Sequence, residues 1–438
     1  MRDPARGRGA VSRRGAGRSG PGCVGGPGLF VTLEARFAAA LMSLLGDPPP
    51  ARLGVAVSGG GDSVALLHLL HRTLGTALHV VTVDHGLRPE SGDEAATVAR
   101  AAQGLDLPHD TLRWTGWDGQ GNLQDAAREA RLSLIADWAR DRGIDAVALG
   151  HTRDDQAETV LMRLARGSGV DGLGGIPPTA ERYGIRFLRP LLGVGRQDLR
   201  DWLSGQGIGW IDDPSNDDPS FDRVRARQAI ATLGLDPVRL SRSARQMRDA
   251  RDVLRQATAE LADRAARQEA GDLVLSRSHL TEALTDTRLR LLAAALCFVS
   301  GQAYRPRWAT LERVWTALAT GEGASAHGCL IVADGACARI AREPAALPGP
   351  VPFGTVWDRW TVEGPGGAAL TVGALESDGL AQVPDWRALG LARSLLITSP
   401  AVRQGDNLIA APLAGLENGY TARLLPSRDN FRQFVLSH

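Results

Sequence analysis

The sequence predicts an α/β protein with a doubly wound parallel sheet, followed by a helical domain and a small β-rich C-terminal domain. Two observations lead to this fold class. Short apolar runs alternate with helical stretches from residue 52 to residue 150, and the alternation ends further along the chain. Such alternation gives a parallel sheet that is covered by helices on both faces. The length of 438 residues suggests roughly two to four domains.

Each predicted strand is a short apolar run, which is the pattern of a buried strand. The runs are RLGVAV (52–57), LHVVTVD (78–84), DTLRW (110–114) and DAVALG (145–150). An apolar stripe predicts a first helix from Leu29, and further helices are predicted at 62–74, 92–104 and 122–142. Ligands of such sheets bind beyond the carboxyl ends of the strands. The alternation therefore places three segments on one rim: Ser58–Ser63, Asp84-His85 and Gly150-His151.

The second half of the chain has a different pattern. Long helices are expected over 223–270 and 279–320, and residues 327–341 predict a hairpin that turns at Asp334-Gly335. Residues 343–354 are rich in Pro and Gly, which is typical of a linker. These patterns predict four parts: a disordered Arg- and Gly-rich extension (1–28), the α/β domain (29–222), the helical domain (223–342) and the small C-terminal domain (355–438).

The composition excludes several classes of protein. The 50 basic residues balance 49 acidic ones, so any nucleic-acid site has to be a local patch. All 50 basic residues are arginines, which excludes a lysine nucleophile, a Schiff-base lysine and a Walker-type phosphate lysine. No apolar run is long enough to predict a transmembrane helix. The 4 cysteines form no C-x-x-C pair, which argues against a zinc site and fits a reducing cytoplasm.

The segment SGGGDS (58–63) joins the first predicted strand to a helix. Its glycines let backbone N–H groups approach an anion, and the helix start adds a positive dipole end. Ser58 and Ser63 add hydroxyl groups. Asp62 fits either as the N-cap of the helix or as a ligand of a bridging Mg²⁺. A glycine-rich turn that binds nothing, with Asp62 as the cap, fits the same residues.

The loop resembles the SGGxDS loop of the PP-loop, or N-type, ATP pyrophosphatases, whose fold is adenine nucleotide hydrolase-like. Further stretches narrow this resemblance: VDHGLRPES (83–91), GHTRDDQAETVLMRLARGSGVDGLGGI (150–176), RPLL (189–192) and IDDPSNDDPSFDRVRAR (211–227). In their order and spacing they resemble the tRNA(Ile)-lysidine synthetase family over residues 50–230. The resemblance is weak along the later helices and faint beyond residue 350.

The resemblance implies a reaction and its partners. ATP adenylates the C2 oxygen of the wobble cytidine in an isoleucine tRNA with a CAU anticodon. The ε-amine of free lysine then attacks C2 and expels AMP. The product, lysidine, pairs with A and changes the charging identity from methionine to isoleucine. The implied cofactors are ATP and Mg²⁺, the helical domain 223–342 is implied to bind the tRNA, and neither a membrane nor a stable protein partner is expected.

The resemblance also assigns roles to residues of the predicted rim. Contacts to ATP are implied for Ser58, Gly59, Gly60, Gly61, Asp62 and Ser63. His85 and His151 are predicted to contact the nucleotide because both lie on the rim, although a lone histidine is more often structural. Asp62 and Asp155 are the implied catalytic residues, with Asp62 also holding Mg²⁺, and Asp154 and Glu158 are implied to bind lysine. A carboxylate is a reasonable base here, since the attacking amine has to lose a proton. On residue types alone, DDQAET is better explained as a solvated, acidic helix start.

Three arginines are predicted to contact the tRNA or the adenylate: Arg166, Arg223 and Arg227. The last two match the arginines of the family pattern R-N-x-[IL]-R, but Val224 and Ala226 depart from it. The departure weakens any role for the missing Asn side chain.

Other arginines have two interpretations. Arg88, Arg163 and Arg166 suit the neutralisation of phosphate charge, but surface salt bridges explain them as well. The arginine-rich helix over 239–255 suits tRNA backbone binding, but Asp249 and Asp252 interleave with its arginines.

Three alternative functions are considered. A sulfur-transferring PP-loop enzyme needs a reactive cysteine or an iron–sulfur cluster, but no cysteine lies between Cys23 and Cys297. A different amide-forming PP-loop synthetase conflicts with the DDQAET and RLARGSG segments. An RNA-binding protein without activity conflicts with the complete SGGGDS and DDQAET motifs, although Val224 leaves it open.

Overall fold

The computed structural model describes residues 32–86, 91–115, 123–212 and 218–437. The predicted extension 1–28 and Arg88 lie outside the described residues. The chain forms two compact units. The N-terminal unit runs to Arg166 and resumes over Gly175–Arg242, and the C-terminal unit comprises Gly167–Gly174 and Ser243–His438. The four-part division of the sequence analysis stays a prediction.

The N-terminal unit alternates helices and strands in the predicted order. The elements along this part of the chain are α1 (Leu33–Leu45), β1 (Leu53–Ala56), α2 (Gly61–Leu74), β2 (Leu78–Asp84), α3 (Ser91–Gln103), β3 (His109–Arg113), α4 (Leu123–Asp141), β4 (Ala146–Leu149), α5 (Arg153–Ala165), α6 (Val170–Leu173), β5 (Thr179–Arg182), β6 (Ile185–Leu188), α7 (Arg196–Gly205) and α8 (Asp222–Thr232). The single-turn helix α6 belongs to the C-terminal unit. The long helix α9 (Pro237–Ala265) begins in the first unit and continues into the second.

The described strands of the N-terminal unit form one sheet in the order β3-β2-β1-β4-β6-β5. Strand β1 pairs in parallel with β2 and with β4, and only β5 runs antiparallel to its neighbour. Alternate residues of β4 enter different cores: Ala146 and Ala148 pack with helices α1, α2 and α7, while Val147 and Leu149 pack with α4. Both faces are therefore covered, and the predicted doubly wound fold is confirmed.

The parallel pairing brings the carboxyl ends of β1, β2 and β4 to the same rim, as predicted. The edge hairpin β5–β6 was not part of the prediction. Its loop is the pair Tyr183-Gly184, and both residues have positive φ values, 53° and 76°. Two successive residues with positive φ form the tight turn that suits the twist of a hairpin. The glycine at the second position of this turn indicates a hairpin, but a search for apolar runs does not detect it.

The C-terminal unit combines helices with short strands. After α9 its elements are β7 (Ala266–Glu269), β8 (Asp272–Ser276), α10 (Arg277–Glu282), α11 (Thr285–Ser300), α12 (Trp308–Thr320), β9 (Ala324–Ala326), β10 (Cys329–Asp334), β11 (Cys337–Arg342), β12 (Val351–Pro352), β13 (Trp360–Glu363), β14 (Leu370–Ala374), α13 (Glu376–Ala381), α14 (Arg393–Ile397), β15 (Pro400–Gln404), β16 (Asn407–Ala410), β17 (Thr421–Leu424) and α15 (Phe431–Ser437).

The predicted hairpin in this unit is confirmed: β10 and β11 are antiparallel, and Asp334 pairs with Cys337 across the turn. The hairpin belongs to a larger antiparallel sheet, β7-β8-β11-β10-β9. The predicted helix 223–270 is wrong at its end, because the chain leaves α9 after Ala265 and forms β7. The turn to β8 again uses two residues with positive φ, Ala270 at 45° and Gly271 at 95°.

The last helix packs into the core of the C-terminal unit. Phe298 of α11 is fully buried, and its ring lies 5.2 Å from the ring of Phe431 and 5.3 Å from that of Phe434. The Arg428 side chain donates to the carbonyl of Cys297 at 2.6 Å. The strand β12, within the predicted linker 343–354, pairs with β14. The C-terminal helix α15 therefore packs against α11 in a shared core.

Several features are absent from the part of the chain that the structure describes. None of its helices has the length and apolar character needed to cross a membrane. Cys297, Cys329 and Cys337 are all free. No three His, Cys, Asp or Glu side chains in these ranges come together as a metal site.

Candidate active site

The loop after β1 closes on itself before α2 begins. The Ser58 backbone N–H donates to Ser63 Oγ at 3.1 Å, and that hydroxyl donates to the Gly60 carbonyl at 2.9 Å. Gly59 has a φ of 90°, and a Cβ there would lie 2.7 Å from the Ile211 side chain. Both facts require glycine. The loop has the compact shape that presents backbone N–H groups to an anion at a helix N-terminus.

The expectation that Asp62 caps this helix is wrong. Gly60 is the N-cap, with no side-chain hydrogen bond, and Asp62 lies within the first turn. A glycine is tolerated as a cap, so the helix starts two residues earlier than a cap at Asp62 would require. The Asp62 carboxylate is therefore available to the rim.

Helix α5 carries three acidic residues in its first two turns. Thr152 is its N-cap, and Asp155 completes a capping box by accepting from the Thr152 N–H at 2.7 Å. Both Asp155 and Glu158 are buried, with side chains only 10% and 2% exposed. Asp154 accepts from the backbone N–H of Arg196 at 2.7 Å. The alternative of a solvated helix start does not fit this burial.

Arg196, which the sequence analysis did not select, lies at the centre of these carboxylates. Each of its three guanidinium nitrogens approaches a different carboxylate. The distances are 3.0 Å from Nε to Asp62 Oδ2, 3.1 Å from Nη2 to Asp155 Oδ1 and 3.4 Å from Nη1 to Glu158 Oε1. Arg196 is the first residue of α7, where a helix dipole disfavours a cation. A basic residue in the first turn of a helix therefore indicates an acidic partner elsewhere in the chain, and this signal could have identified Arg196.

The arginines predicted on α8 reach the same carboxylates. Arg227 Nε lies 2.9 Å from Glu158 Oε1, and Arg223 Nη1 lies 3.9 Å from Asp155 Oδ1. Val224 and Ala226, the two departures from the family pattern, are buried against the fold. Helix α8 thus buries its apolar positions and presents Arg223 and Arg227 to α5.

Arg166 is not brought to this site. It ends α5, about 18 Å along the helix from the acidic turn, and pairs with Asp222 at 2.7 Å. Arg163 donates to the carbonyl of Gly175 at 2.9 Å, which is a structural contact. The predicted tRNA contact of Arg166 stays a prediction.

The two histidines follow β2 and β4 on the predicted rim. His85 lies edge-on to Trp114, with ring centroids 5.8 Å apart. Burial lowers the pKa of both His85 and His151, and nearby arginines lower them further. In each ring the Nδ1 atom is buried and has no hydrogen-bond partner. Both rings are therefore neutral near pH 7, which suits contacts to a ligand rather than charge pairing.

The carboxylates differ in their affinity for protons. Burial raises the pKa of Asp62, and Arg196 offsets only part of this effect. Burial also acts to raise the pKa of Asp155, but the charge of Arg196 and the hydrogen bond from the Thr152 N–H outweigh it, so the pKa is lowered. Asp62 Oδ1 and Glu158 Oε2 are buried without a hydrogen-bond partner. Buried carboxylate oxygens without a donor are costly, which points to a cationic ligand.

A family model and several known proteins are similar to this chain. A family model described as a PP-loop domain matches residues 33–233. The tRNA(Ile)-lysidine synthase of Ruegeria pomeroyi is 45% identical, over 95% of this chain and 99% of that protein. The tRNA(Ile)-lysidine synthase of Rhizobium meliloti is 38% identical, over 74% of this chain and 76% of that protein. The solved structure of a U34-tRNA thiolase from Methanococcus maripaludis matches 48% of this chain and 76% of its own, with a TM-score of 0.41 and 15% identity.

Proposed function

Because the chain belongs to the tRNA(Ile)-lysidine synthase family, we propose that it joins free lysine to C2 of the wobble cytidine of an isoleucine tRNA with a CAU anticodon. The chain is an enzyme of this family and carries an ATP-binding PP-loop domain. Its reaction is a tRNA modification that uses ATP. The identity of the amine, the adenylated intermediate and the roles of single residues belong to the proposal.

One observation carries the assignment of the amine. Four carboxylates meet beside the phosphate loop, and two of their buried oxygens, Asp62 Oδ1 and Glu158 Oε2, have no donor. An ammonium group offers three N–H donors and a positive charge, which is what these oxygens lack. This arrangement supports a lysine side chain as the ligand of the cluster.

In the first step, the C2 oxygen of the cytidine attacks the α-phosphorus of ATP, and pyrophosphate leaves. The loop Ser58–Ser63 would bind the phosphates through backbone N–H groups and hydroxyls, with His85 and His151 as further contacts on the rim. The resulting adenylate makes C2 electrophilic, because AMP is a good leaving group. Fixed N–H donors stabilise the developing phosphate charge without reorganising during the reaction.

In the second step, the ε-amine of lysine attacks C2 and AMP departs. Asp154 and Glu158 would hold the ammonium, and Asp155 would orient it toward the reacting carbon. The amine has to lose a proton before it attacks, and a carboxylate of this cluster is a reasonable acceptor for it. Arg196 has to yield some of its contacts, since the same carboxylates pair with it here.

A divalent ion fits the site only in part. Asp62 offers one buried oxygen without a partner, and Mg²⁺ in nucleotide sites is commonly held by one or two carboxylates together with substrate phosphates. Asp62 would therefore hold Mg²⁺ jointly with ATP, as the sequence analysis predicted. When bound, the ion neutralises phosphate charge during the departure of pyrophosphate.

The remaining assignments concern the tRNA and the place of the reaction. Arg223 and Arg227 are positioned beside the carboxylates, which supports contacts to the adenylate or the tRNA nucleotide. The role of 223–342 in binding the body of the tRNA is carried over from the family resemblance. A cytoplasmic location is supported by the small number of cysteines.

The test is the incorporation of labelled lysine into unmodified isoleucine tRNA with a CAU anticodon, in the presence of ATP and Mg²⁺. Methionine tRNA serves as the matched control, because it has the same anticodon. We expect label in the isoleucine tRNA alone, with release of AMP and pyrophosphate. Pyrophosphate release without label would keep the ATP chemistry and reject lysine as the acceptor. If neither label nor pyrophosphate appeared, the result would indicate a binding protein that retains the fold.

A further inference from the structure

Arg196 connects helices of the N-terminal unit that are far apart in the sequence. Its side chain contacts one carboxylate on α2, that of Asp62, and two on α5, those of Asp155 and Glu158. Arg196 itself begins α7, and its side chain is only 20% exposed. Burial acts to lower the pKa of Arg196, but the three carboxylates outweigh it, so the pKa is raised. The guanidinium is therefore a permanent cation that links α2, α5 and α7.

Two carboxylates of α5 anchor Arg196. Its backbone N–H donates to Asp154 Oδ2 at 2.7 Å, and its Nη2 lies 3.1 Å from Asp155 Oδ1. The other oxygen of Asp155 accepts from the N–H of Thr152 at 2.7 Å and from its hydroxyl at 2.8 Å. Both oxygens of Asp155 are thus engaged within the fold, and this carboxylate fixes the guanidinium relative to α5.

Asp62 and Glu158 are engaged through one oxygen each. Arg196 Nε lies 3.0 Å from Asp62 Oδ2, and Nη1 lies 3.4 Å from Glu158 Oε1. The opposite oxygens, Asp62 Oδ1 and Glu158 Oε2, are buried and have no hydrogen-bond partner. Among the residues that the structure describes, Arg196 is the only one that is hydrogen-bonded to the Asp62 side chain. The position of the Asp62 carboxylate relative to α5 therefore depends on Arg196.

A planar guanidinium holds several oxygens in a fixed geometry, because its N–H donors point in set directions. We propose that Arg196 is a positioning residue: it is anchored on α5 and holds Asp62 and Glu158 so that their remaining oxygens bind the ammonium group of the attacking amine together. This inference rests on the proposed function, in which lysine is that amine. The contact to Glu158 is the longest of the three, and Arg227 holds the same oxygen at 2.9 Å, so this contact can yield when lysine binds.

Neutralisation of charge, without positioning, predicts the opposite change in lysine affinity. Loss of the guanidinium would leave more negative charge beside the ammonium group, their attraction would increase, and KM for lysine would fall. Loss of positioning raises KM for lysine, because the two oxygens no longer meet at one ammonium group. The direction of the change in KM therefore separates the two roles.

The first experiment measures KM for lysine and KM for isoleucine tRNA in the incorporation assay, using Arg196→Gln. Arg200→Gln is the matched control, because Arg200 lies on the same helix and pairs with the exposed Asp212. We expect Arg196→Gln to raise KM for lysine about tenfold, with KM for the tRNA within about threefold and both constants of the control within about twofold. A KM for lysine that falls or stays unchanged would overturn the proposal.

The second experiment tests the shape of the cation. Arg196→Ala removes the side chain, and added ethylguanidinium supplies the same planar group without a link to the chain. Ethylguanidinium should lower KM for lysine toward the original value, whereas ethylammonium at the same concentration should raise it by competing for the carboxylates. Equal effects of the two cations would overturn the proposal, because charge alone would then explain Arg196.

The original protein distinguishes a failure of this inference from a failure of the proposed function. If the original protein incorporates lysine and Arg196→Gln does not raise KM for lysine, only the positioning role is rejected. If the original protein incorporates no lysine, the proposed function fails and this inference fails with it.

Discussion

Buried charges occur in both units, but they are satisfied to different degrees. In the C-terminal unit, Arg342 donates to Asp358 Oδ1 from Nε at 3.1 Å and from Nη2 at 3.0 Å. Its remaining donors reach the carbonyls of Gly328 at 2.7 Å and Ala346 at 2.9 Å. Both side chains of the pair are less than a tenth exposed. The pair is complete within the fold and needs nothing from outside.

In the N-terminal unit, Arg196 also pairs with buried carboxylates, yet the surrounding atoms are incomplete. Asp62 Oδ1 and Glu158 Oε2 are buried without a hydrogen-bond partner. The comparison teaches that a buried ion pair alone does not mark a functional site. The C-terminal unit also buries atoms without a hydrogen-bond partner, among them Arg359 Nε and Trp360 Nε1, so such an atom is informative only where, as at Asp62 and Glu158, it lies beside a predicted ligand site. Substitutions should therefore impair activity in one unit and stability in the other.

The largest effect is expected for Asp155→Asn. The amide keeps an oxygen to accept from Thr152, so the capping box survives, but the negative charge facing Arg196 and Arg223 is lost. Lysine incorporation should fall at least about a thousandfold, which corresponds to about 4 kcal/mol, while tRNA affinity stays within about threefold. Asp201→Asn, an exposed change on α7, is the control. Activity within tenfold of the original would break the comparison, because Asp155 would then serve only the helix.

The next largest effect concerns the C-terminal unit. Asp358→Ala removes one partner of a buried pair and leaves the Arg342 charge without compensation. The free energy of unfolding should fall by about 3–5 kcal/mol, as measured by urea denaturation, with lysine incorporation retained below the transition. Asp406→Ala in the same unit replaces an exposed carboxylate, and it should lower the free energy of unfolding by about 1 kcal/mol or less. Equal losses for the two variants would contradict the assigned stabilising role.

A third prediction uses the pH dependence of stability. Burial raises the pKa of Asp272 to about 6, although Arg359 and Arg339 oppose it. The folded chain therefore holds this proton at pH values where the unfolded chain, titrating near about 3.9, has lost it. Stability should fall by at most about 3 kcal/mol as the pH rises from about 4 to about 6. Asp272→Asn should remove that slope in urea titrations at both ends of the range.

The smallest effect is expected for Arg196→Gln. Without the guanidinium, the three carboxylates repel one another, and the pKa values of Asp62 and Asp155 rise because Arg196 no longer lowers them. The variant should lose about 1–2 kcal/mol of unfolding free energy at pH 8 or so, and the loss should shrink toward about pH 5 as the carboxylates take up protons. Arg200→Gln, whose partner Asp212 is exposed, is the control. A loss that is independent of pH would mean that Arg196 acts through packing alone.

The sequence was sufficient for the sheet of the N-terminal unit but not for its charged centre. The predicted strand 78–84 has the observed limits, and the other three predicted strands differ at their ends by one residue. A buried parallel strand is apolar on both faces, so it stands out in the sequence. The hairpins β5–β6 and β7–β8 were missed because one strand of each, β5 or β7, has no buried residue. Their local signal is a two-residue turn with a glycine.

The candidate site was predictable where one segment supplies it, and not where distant segments meet. Ser58–Ser63 and Asp154–Glu158 lie in contiguous motifs, which the family resemblance recognised. Arg196 is separated from those motifs by whole elements, and apart from its position at a helix start nothing local distinguishes it from other arginines. Its significance depends on which side chains it faces, and that is set by the packing of α7.

The guanidinium groups around the carboxylates have a consequence for chemoselectivity. An activated cytidine is an electrophile, and any neutral amine nearby would compete with the intended nucleophile. Arg196, Arg223 and Arg227 supply positive charge at this position, and arginine keeps its proton throughout the physiological pH range. A protonated guanidinium has no lone pair to attack carbon. With no lysine anywhere in the chain, no side-chain amine of the enzyme would be available to intercept the proposed intermediate.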